Sequence, residues 1–268
     1  MPMSQDDIPE GLRRFVEMTP KRSTVSVPLT DEVLNAAVAS ARPMELVSAD
    51  DRIVSFVDLL GTRSLMKQVE DQSQAQGTYD KFTSIGILFE KCAKECQENV
   101  DGTKYVIISD SYVISVPNKP GAFDALISSI VKFQRDCLLK FKELVRGGVA
   151  VGKMVVGENV DMMIGKALVE AHGLEKDIAS YPRVVINSDI NINEMSHSAP
   201  ISHDKDGMYY VSFLSGLDKK ELDKARSIIV DKKKDQRLHE RQKLEWVQTY
   251  IDQVMNKNEC CCVCKKEV

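Results

Sequence analysis

The sequence lacks several features that mark well-known classes of protein. Among 268 residues there are one tryptophan, four histidines and 6% aromatic residues. No apolar run approaches the roughly 20 residues that span a bilayer, and the N-terminal stretch MPMSQDDIPEGLRR has no apolar segment of the signal-peptide kind. We therefore expect a cytoplasmic protein that does not associate with membranes. The histidines show neither metal-ligand spacing nor a nearby nucleophile, and these residues are His172, His197, His203 and His239.

The chain also lacks a strong charge of either sign. Its 36 basic and 40 acidic residues leave a formal net charge of -4. Such a balance provides no general attraction to nucleic acid, and we expect no nucleic-acid partner. A phosphate-bearing ligand would need a dedicated site.

Disulfide and zinc frameworks are missing as well. The seven cysteines are an odd number, and Cys92, Cys96 and Cys137 fall inside apolar helical patterns. The other four crowd the C-terminus between Cys260 and Cys264, too close together to surround one tetrahedral ion. We expect reduced thiols and a disordered cysteine-rich tail.

A composition of 43% hydrophobic and 28% charged residues is typical of a globular protein with one substantial core. We divide the chain into an N-terminal arm over residues 1–45, a central domain over 46–215, a C-terminal helix over 216–257 and the tail over 258–268. The arm is rich in Pro, Ser, Thr and charge. The C-terminal tract is one long charged helical pattern with an apolar stripe on one side, formed by Leu244, Val247, Ile251 and Val254.

Four segments of the central domain have clear periodicity. The apolar run RIVSFVDLLG predicts a buried strand that ends near Asp58, and KYVIISDSYVISVPN predicts a hairpin with Asp110 at its turn. Apolar residues recur at helical spacing over 79–96 and over 123–141. Later strands are predicted at GGVAVGKMVVG and YPRVVIN, separated by the helix-like segment GKALVEAHGLEKDIA. This order predicts an α+β, ferredoxin-like fold, an antiparallel sheet with helices on one face.

The predicted topology brings two acids together. Asp58 follows the first strand and Asp110 lies in the hairpin turn, at the ends of neighbouring strands. Mg²⁺ and Mn²⁺ take oxygen ligands, usually one or two carboxylates plus substrate phosphates. The pair therefore indicates a divalent metal site, although an isolated Asp in a turn is often only a cap.

Three motifs resemble class III adenylate and guanylate cyclases. FVDLLGT at 56–62 resembles the family's F-x-D-hydrophobic-x-G-F-T segment, SDS at 109–111 its G-D-S hairpin, and RGGVAVG at 146–152 its R-x-G-I-x-x-G strand. The three occur in the family's order over residues 52–188. The resemblance implies a class III cyclase catalytic domain over the central region.

The resemblance also implies a set of site residues. Asp58, Asp110 and the backbone carbonyl of Leu59 would hold two Mn²⁺ or Mg²⁺ ions. Backbone N–H groups of the turn through Gly61 and Thr62 would receive the phosphates of a nucleoside triphosphate. The residues expected to bind substrate are Phe56, Gly61, Thr62, Arg146 and Met162.

Departures from the family pattern concern the base and the transition state. The Lys and the acid that read a purine are replaced by Val106 and Met162, which cannot make those hydrogen bonds. The family's Asn and its transition-state Arg fall on Val169 and Gly173. A purine substrate is therefore not expected, and another cation must replace the arginine if the domain is active.

The segment GKALVEAHGLEKDIASYPRVVI resembles the bacterial pyrimidine cyclases of antiphage signalling. This resemblance implies a homodimer with active sites at its interface, a cyclic UMP or cyclic CMP product, and a separate effector that responds to it. UTP is preferred here over CTP. Arg183 and Arg146 are candidates for the missing cation, and ion pairs with Glu170 or Glu175 are the alternative for them.

Two other functions remain open. A cyclase-like module that binds a nucleotide or a partner without turnover would retain both aspartates and lack the arginine. A diguanylate cyclase or a polymerase palm shares the two-aspartate arrangement, but ISDSY at 108–112 is not the G-G-D/E-E-F hairpin of diguanylate cyclases.

Overall fold

The structure is a computed structural model that describes residues 49–62, 72–157, 162–196, 198–234 and 238–264. The predicted N-terminal arm over 1–45 and the last four residues of the tail lie outside the described residues.

A single sheet of eight strands organises the described part of the chain, with the order β2-β3-β1-β4-β6-β8-β7 and with β5 beside β4. All neighbouring strands are antiparallel except β4 and β6. The strands are β1 (Asp50–Leu59), β2 (Lys104–Ile108), β3 (Ser111–Pro117), β4 (Val145–Val156), β5 (Met163–Gly165), β6 (Val184–Ile186), β7 (Ile201–His203) and β8 (Tyr209–Val211). The α+β class with a mostly antiparallel sheet is confirmed.

Two long helices cover one face of this sheet. They are α1 (Gln72–Asn99) and α2 (Ala122–Phe141), which extend the two predicted helical stripes. Their apolar faces pack on alternate residues of the strands, including Ile53, Val57 and Tyr112. This is the main core, and it fixes β1 at the centre of the sheet.

A short helix, α3 (Lys166–Gly173), forms where the sequence predicts one, but it packs on the opposite face of the sheet, whereas all helices were expected on one face. Gly148 on β4 permits this approach, because a Cβ there would lie 2.4 Å from the carbonyl oxygen of Ala171. The chain continues from α3 into a π-helical turn, Leu174–Ile178, that also lies against β4. A further short helix, α4 (Ile192–Met195), follows β6.

The C-terminal tract forms a hairpin of two helices, α5 (Lys219–Lys233) and α6 (Leu238–Cys264), instead of the one helix predicted. Asp218 caps α5, and an ion pair of 2.5 Å joins Arg226 on α5 to Asp252 on α6. The buried stripe of α6, predicted from the sequence, forms a second core with α5 and the β8 region, and Leu60 packs against it. The hairpin therefore lies next to the end of β1.

Helix α6 extends to Cys264, so its backbone is helical where a disordered tail was expected. Cys92, Cys96 and Cys137 are free and buried, as their positions in helical patterns predicted. Within the described ranges, no helix combines the length and the apolar character needed to cross a bilayer.

Candidate active site

Asp58 lies near the end of the central strand, between two polar neighbours. In the sheet register it stands opposite Ser111 on β3 and opposite Arg146 on β4, so all three side chains share one face. The Ser111 hydroxyl donates a hydrogen bond of 3.1 Å to Asp58 Oδ1. This is the face that α3 covers in part, opposite to the main core.

Asp110 comes to the same place through a tight turn. Ile108 pairs with Ser111, which leaves Ser109 and Asp110 as a two-residue connection. Ser109 has a φ of 59°, in the left-handed region that few non-glycine residues adopt. The Asp110 carbonyl accepts a hydrogen bond of 3.4 Å from the Leu59 amide. The structure therefore brings the two predicted acids together, and we call Asp58 and Asp110 the acidic pair.

The electrostatics of the acidic pair are unfavourable without a cation. Burial raises the pKa of Asp58 to about 6, and the charges of Asp110 and Glu175 add to the rise. The hydrogen bond from Ser111 and the charge of Arg146 only partly oppose these effects. Two carboxylates, Asp110 and Glu175, thus repel the charge of Asp58, and Arg146 attracts it.

Arg146 is the nearest cation to the acidic pair. Its Nη2 lies 2.5 Å from Glu175 Oε1 and 3.8 Å from Asp58 Oδ2. Glu175 belongs to the π-helical turn and is 4% exposed, so this ion pair is well shielded from solvent. Of the two partners that the sequence suggested for Arg146, Glu175 is the one it contacts. The Nε of Arg146 is buried and has no hydrogen-bond partner among the described residues.

The donor set suits a hard divalent cation. Two carboxylates and a serine hydroxyl meet at the sheet end, and oxygen donors of this kind favour Mg²⁺ or Mn²⁺. A cation there would relieve the repulsion between the carboxylates. In the described part of the chain, no group of three His, Cys, Asp or Glu side chains is placed to hold a metal. The remaining ligands would have to come from the backbone or from substrate phosphates.

Arg183, the other candidate cation, is engaged elsewhere. Its side chain is 1% exposed, and its guanidinium forms ion pairs with Asp204 and Asp206. It also lies over the rings of Tyr181 and Trp246, at 5.7 and 6.0 Å from their centroids. We call these five residues the Arg183 cluster. The expected alternative partners, Glu170 and Glu175, are not among its ion pairs, and neither is the acidic pair.

Phe56 and Val106 both stand opposite Val113 of β3, on its two sides. Phe56 is two residues before Asp58 on β1, so these side chains and that of Asp58 lie on the same face of the sheet. The Phe56 ring is 4.8 Å from that of His172 on α3, and both Phe56 and Val106 pack at the margin of a small apolar cluster. Val106 thus lies on the same sheet face as Asp58, with β3 between their strands.

The remaining candidates lie at turns. Gly61 has a φ of 92°, a conformation that favours glycine, and Thr62 is half-buried. Both directly follow β1 beside the acidic pair. The carbonyl of Met162 accepts a hydrogen bond of 2.9 Å from the Gly157 amide, so its backbone closes the β4-β5 turn.

One charged residue near the site was missed at the sequence level. Lys243, on α6, is half-buried, and burial together with the positive charge of Arg146 lowers its pKa. Its position directly before Leu244, a member of the predicted apolar stripe, is the signal that could have found it. A lysine beside such a stripe lies at the margin of the docking surface.

Comparisons with known proteins concern the fold. No family model matches the chain, and no curated protein matches its sequence. Among solved structures, it resembles the catalytic core of a rhodopsin-guanylyl cyclase with converted specificity, at 15% identity and a TM-score of 0.47, over 61% of this chain and 96% of the other. The monomeric guanylyl cyclase domain from the aquatic fungus Blastocladiella emersonii matches at 14% identity and 0.45, over 61% and 95%. A bacterial light-regulated adenylyl cyclase matches at 13% identity and 0.46, over 80% and 64%. These similarities assign no substrate to this chain.

Proposed function

We propose that this protein is a class III nucleotide cyclase that converts a pyrimidine nucleoside triphosphate, preferably UTP, into its 3′,5′-cyclic monophosphate and pyrophosphate. The observation that carries the proposal is the meeting of Asp58 and Asp110 at one sheet end, beside Arg146. These are the residues on which the three cyclase-like motifs of the sequence converge.

The reaction forms a bond between the ribose O3′ and the α-phosphorus and breaks the bond from that phosphorus to the leaving pyrophosphate. Asp58, Asp110 and the Leu59 carbonyl would hold two Mn²⁺ or Mg²⁺ ions, which lower the pKa of the 3′ hydroxyl and neutralise leaving phosphate charge when bound. Arg146, whose Nε has no described partner, is suited to stabilise charge on the phosphates. Gly61 and Thr62 offer backbone N–H groups for the same phosphates.

The choice of a pyrimidine rests on what surrounds the acidic pair. Val106 is on the same sheet face as Asp58, and an apolar side chain there leaves the hydrogen-bonding edge of a purine without a partner. Met162 replaces the second purine-reading residue. UTP is proposed over CTP on the sequence resemblance to pyrimidine cyclases.

The proposed assembly is a homodimer with active sites at the interface, the arrangement implied by the sequence resemblance. It is supported by apolar side chains that remain exposed on the acidic-pair side of the sheet, with Ile108 53% exposed and Val169 on α3 71% exposed. The proposed biological role is antiphage signalling, in which the cyclic nucleotide activates a separate effector.

A nucleotide-binding module without turnover is the second candidate. It is favoured by one observation: Gly173 stands where the family has its transition-state arginine, although a Cβ at Gly173 would meet nothing within 4 Å. Space therefore does not explain the absence of the arginine. Arg183 does not replace it, since its described ion pairs are with Asp204 and Asp206.

The deciding experiment incubates the purified protein with ATP, GTP, CTP or UTP and Mn²⁺, and identifies products by mass. Cyclic UMP or cyclic CMP is expected, and it should be absent with Asp58→Asn and Asp110→Asn. Asp101→Asn is a matched control, because Asp101 is an exposed acid in the turn before β2, whereas the acidic pair lies at the other end of that strand.

A cyclic purine product would contradict the reading of Val106 and Met162. Metal-dependent nucleotide binding with no cyclic product from any of the four triphosphates would favour the binding module.

A further inference from the structure

The carboxylate of Glu143 joins three separate elements of the fold. Glu143 lies between α2 and β4 and is 4% exposed. One of its carboxylate oxygens is paired with Lys81 on α1, and the other accepts a hydrogen bond of 3.3 Å from Lys232 near the end of α5. We call these three residues the Glu143 cluster. They lie outside all of the cyclase-like motifs, so the resemblance assigns them no role.

The Glu143 cluster holds in place the segment that leads into β4. The Glu143 amide donates a hydrogen bond of 2.9 Å to the carbonyl of Cys137, near the end of α2. The next side chain, Leu144, is buried in the hairpin core. The backbone of Glu143 and Leu144 is therefore fixed by α1, α2 and α5 together.

This fixed backbone contacts the end of β1 through a hydrogen bond. The Leu144 carbonyl accepts a bond of 2.8 Å from the Leu60 amide. The N–H of Leu60 and the carbonyl of Leu59 belong to one planar trans peptide unit, in which they point in opposite directions. The Leu59 carbonyl therefore points away from Leu144.

The Leu59 carbonyl points instead towards the turn that contains Asp110. Leu59 is the last residue of β1, and in an extended strand the N–H and C=O of one residue point to the same side. The Leu59 amide donates its hydrogen bond of 3.4 Å to the Asp110 carbonyl, so the Leu59 carbonyl faces the same side. These two hydrogen bonds orient the backbone oxygen that the sequence resemblance assigns as a metal ligand.

We propose that Glu143 is a positioning residue for the divalent metal ion, because its cluster orients the Leu59 carbonyl beside the acidic pair. The inference rests on the proposed function for the presence of the metal site. Residues that orient a metal ligand without touching the metal commonly change metal affinity by about 10- to 100-fold. Through Lys232, the C-terminal hairpin would also act on the metal site.

The test measures Mn²⁺ binding to the full chain in the absence of nucleotide, from the decrease in the EPR signal of free Mn²⁺. Glu143→Gln removes the charge that holds both lysines and should weaken Mn²⁺ binding about tenfold. Lys232→Met releases only α5 and should weaken binding by about threefold. Asp58→Asn shows which part of the Mn²⁺ binding belongs to the acidic pair.

Two control variants separate positioning from stability. Glu95 pairs with Lys132 near the end of α1 that precedes β2, whereas the acidic pair lies at the other end of that strand. Glu95→Gln thus removes a carboxylate that joins α1 to α2 outside the Glu143 cluster. Ile130→Val shortens a buried side chain of α2 and should lower the melting temperature. Both controls should bind Mn²⁺ as the unmodified protein does.

Kinetic assays with the accepted triphosphate give a second measurement. In Glu143→Gln, the Mn²⁺ concentration for half-maximal rate should rise about tenfold, while kcat at saturating Mn²⁺ should stay within about threefold, because the ligand atoms are still present. If Glu143→Gln fails to fold, Lys232→Met takes its place, since Lys232 is only half-buried and leaves Glu143 paired with Lys81.

The outcomes distinguish this inference from the proposed function. Mn²⁺ binding that depends on Asp58 and is weakened in Glu143→Gln, in a protein that makes no cyclic nucleotide, supports the positioning role and contradicts the cyclase. A cyclic product together with unchanged Mn²⁺ binding by Glu143→Gln overturns the role of Glu143 and leaves the cyclase intact. The inference is also overturned if the unmodified protein shows no Asp58-dependent Mn²⁺ binding, or if Ile130→Val weakens that binding as much as Glu143→Gln does.

Discussion

Arg146 and Arg183 lie on adjacent segments of the chain in space, but they differ in exposure and in the pairing of their charges. The Gly147 amide donates a hydrogen bond of 3.1 Å to the Arg183 carbonyl, so the two backbones are neighbours. Arg183 is 1% exposed, is neutralised by Asp204 and Asp206, and lies beside the rings of Tyr181 and Trp246. Arg146 keeps 25% of its side chain exposed.

The difference indicates how each arginine can act. The Arg183 guanidinium is buried, and both of its terminal nitrogens bond to Asp204 or Asp206, so its contribution is to the packing of α6 against the sheet. Arg146 shares one nitrogen between Glu175 and Asp58 and faces the acidic pair. We therefore assign stability to the Arg183 cluster and activity to the Arg146 region, and each prediction below tests this assignment.

The largest effect is expected at the acidic pair. Asp58→Asn or Asp110→Asn removes a carboxylate that we propose binds a metal ion, and should lower kcat by roughly 10³-fold or more. The measurement is steady-state formation of the cyclic nucleotide in Mn²⁺. If either variant were as active as the original protein, the assignment of activity to the Arg146 region would be wrong.

Substitutions in the Arg183 cluster should lower stability and leave activity nearly unchanged. The double variant Asp204→Asn/Asp206→Asn leaves a fully buried guanidinium without its counter-charges, and the free energy of unfolding should fall by about 3–5 kcal/mol. Urea unfolding at neutral pH measures it. The kcat of the folded fraction should stay within about threefold of the original. A kcat that falls as much as in the Asp58 variant would make Arg183 part of the catalytic machinery.

Removing Arg146 should lower activity and leave stability nearly unchanged. Arg146→Met alone leaves the buried Glu175 unpaired, so we pair it with Glu175→Gln, which removes that charge as well. The double variant should remain folded and lose about 10²-fold in kcat. Glu175→Gln alone is the control and should retain most of the activity. If the double variant cyclises normally, the transition-state cation lies elsewhere.

The predictable parts of this molecule are those fixed by short stretches of chain. The strand before Asp58 and the hairpin at Asp110 follow from apolar runs and turn residues, and a strand end and a hairpin turn meet when those strands are neighbours. The two stripes that became α1 and α2 have the same local origin, since one apolar face must pack on the sheet.

The contacts of the charged residues were not predictable, because they depend on segments far along the chain. Asp204 and Asp206 are 21 and 23 residues after Arg183 and reach it only through the β7-β8 hairpin. The ion pair between Arg226 and Asp252 exists only because α5 and α6 form a hairpin where one helix was expected. Periodicity identifies the buried side of a helix but not the surface it docks against.

The smallest effect is a contrast in pH dependence between the two regions. Without metal, the folded-state pKa of Asp58 is raised to about 6 from an ordinary value of 3.8, so the folded state binds more protons between these values and loses stability as the pH rises through them. As the pH rises from 4.5 to 7.5, the free energy of unfolding of Asp58→Asn should therefore increase by about 2 kcal/mol relative to that of the original protein.

The pKa of Asp206 is lowered, chiefly by its hydrogen bond from Arg183, so the stability that Asp206 contributes is present above pH 4 and is lost on acidification. Asp206→Asn should therefore be less stable than the original protein at pH 7.5. Urea unfolding in EDTA at pH 4.5 and pH 7.5 measures the stability of both variants. At pH 7.5, a gain of stability in Asp58→Asn and a loss in Asp206→Asn would distinguish the two regions by the effect of charge alone. A loss of stability in Asp58→Asn would mean that the acidic pair is already neutralised within the chain and has no need of a metal ion.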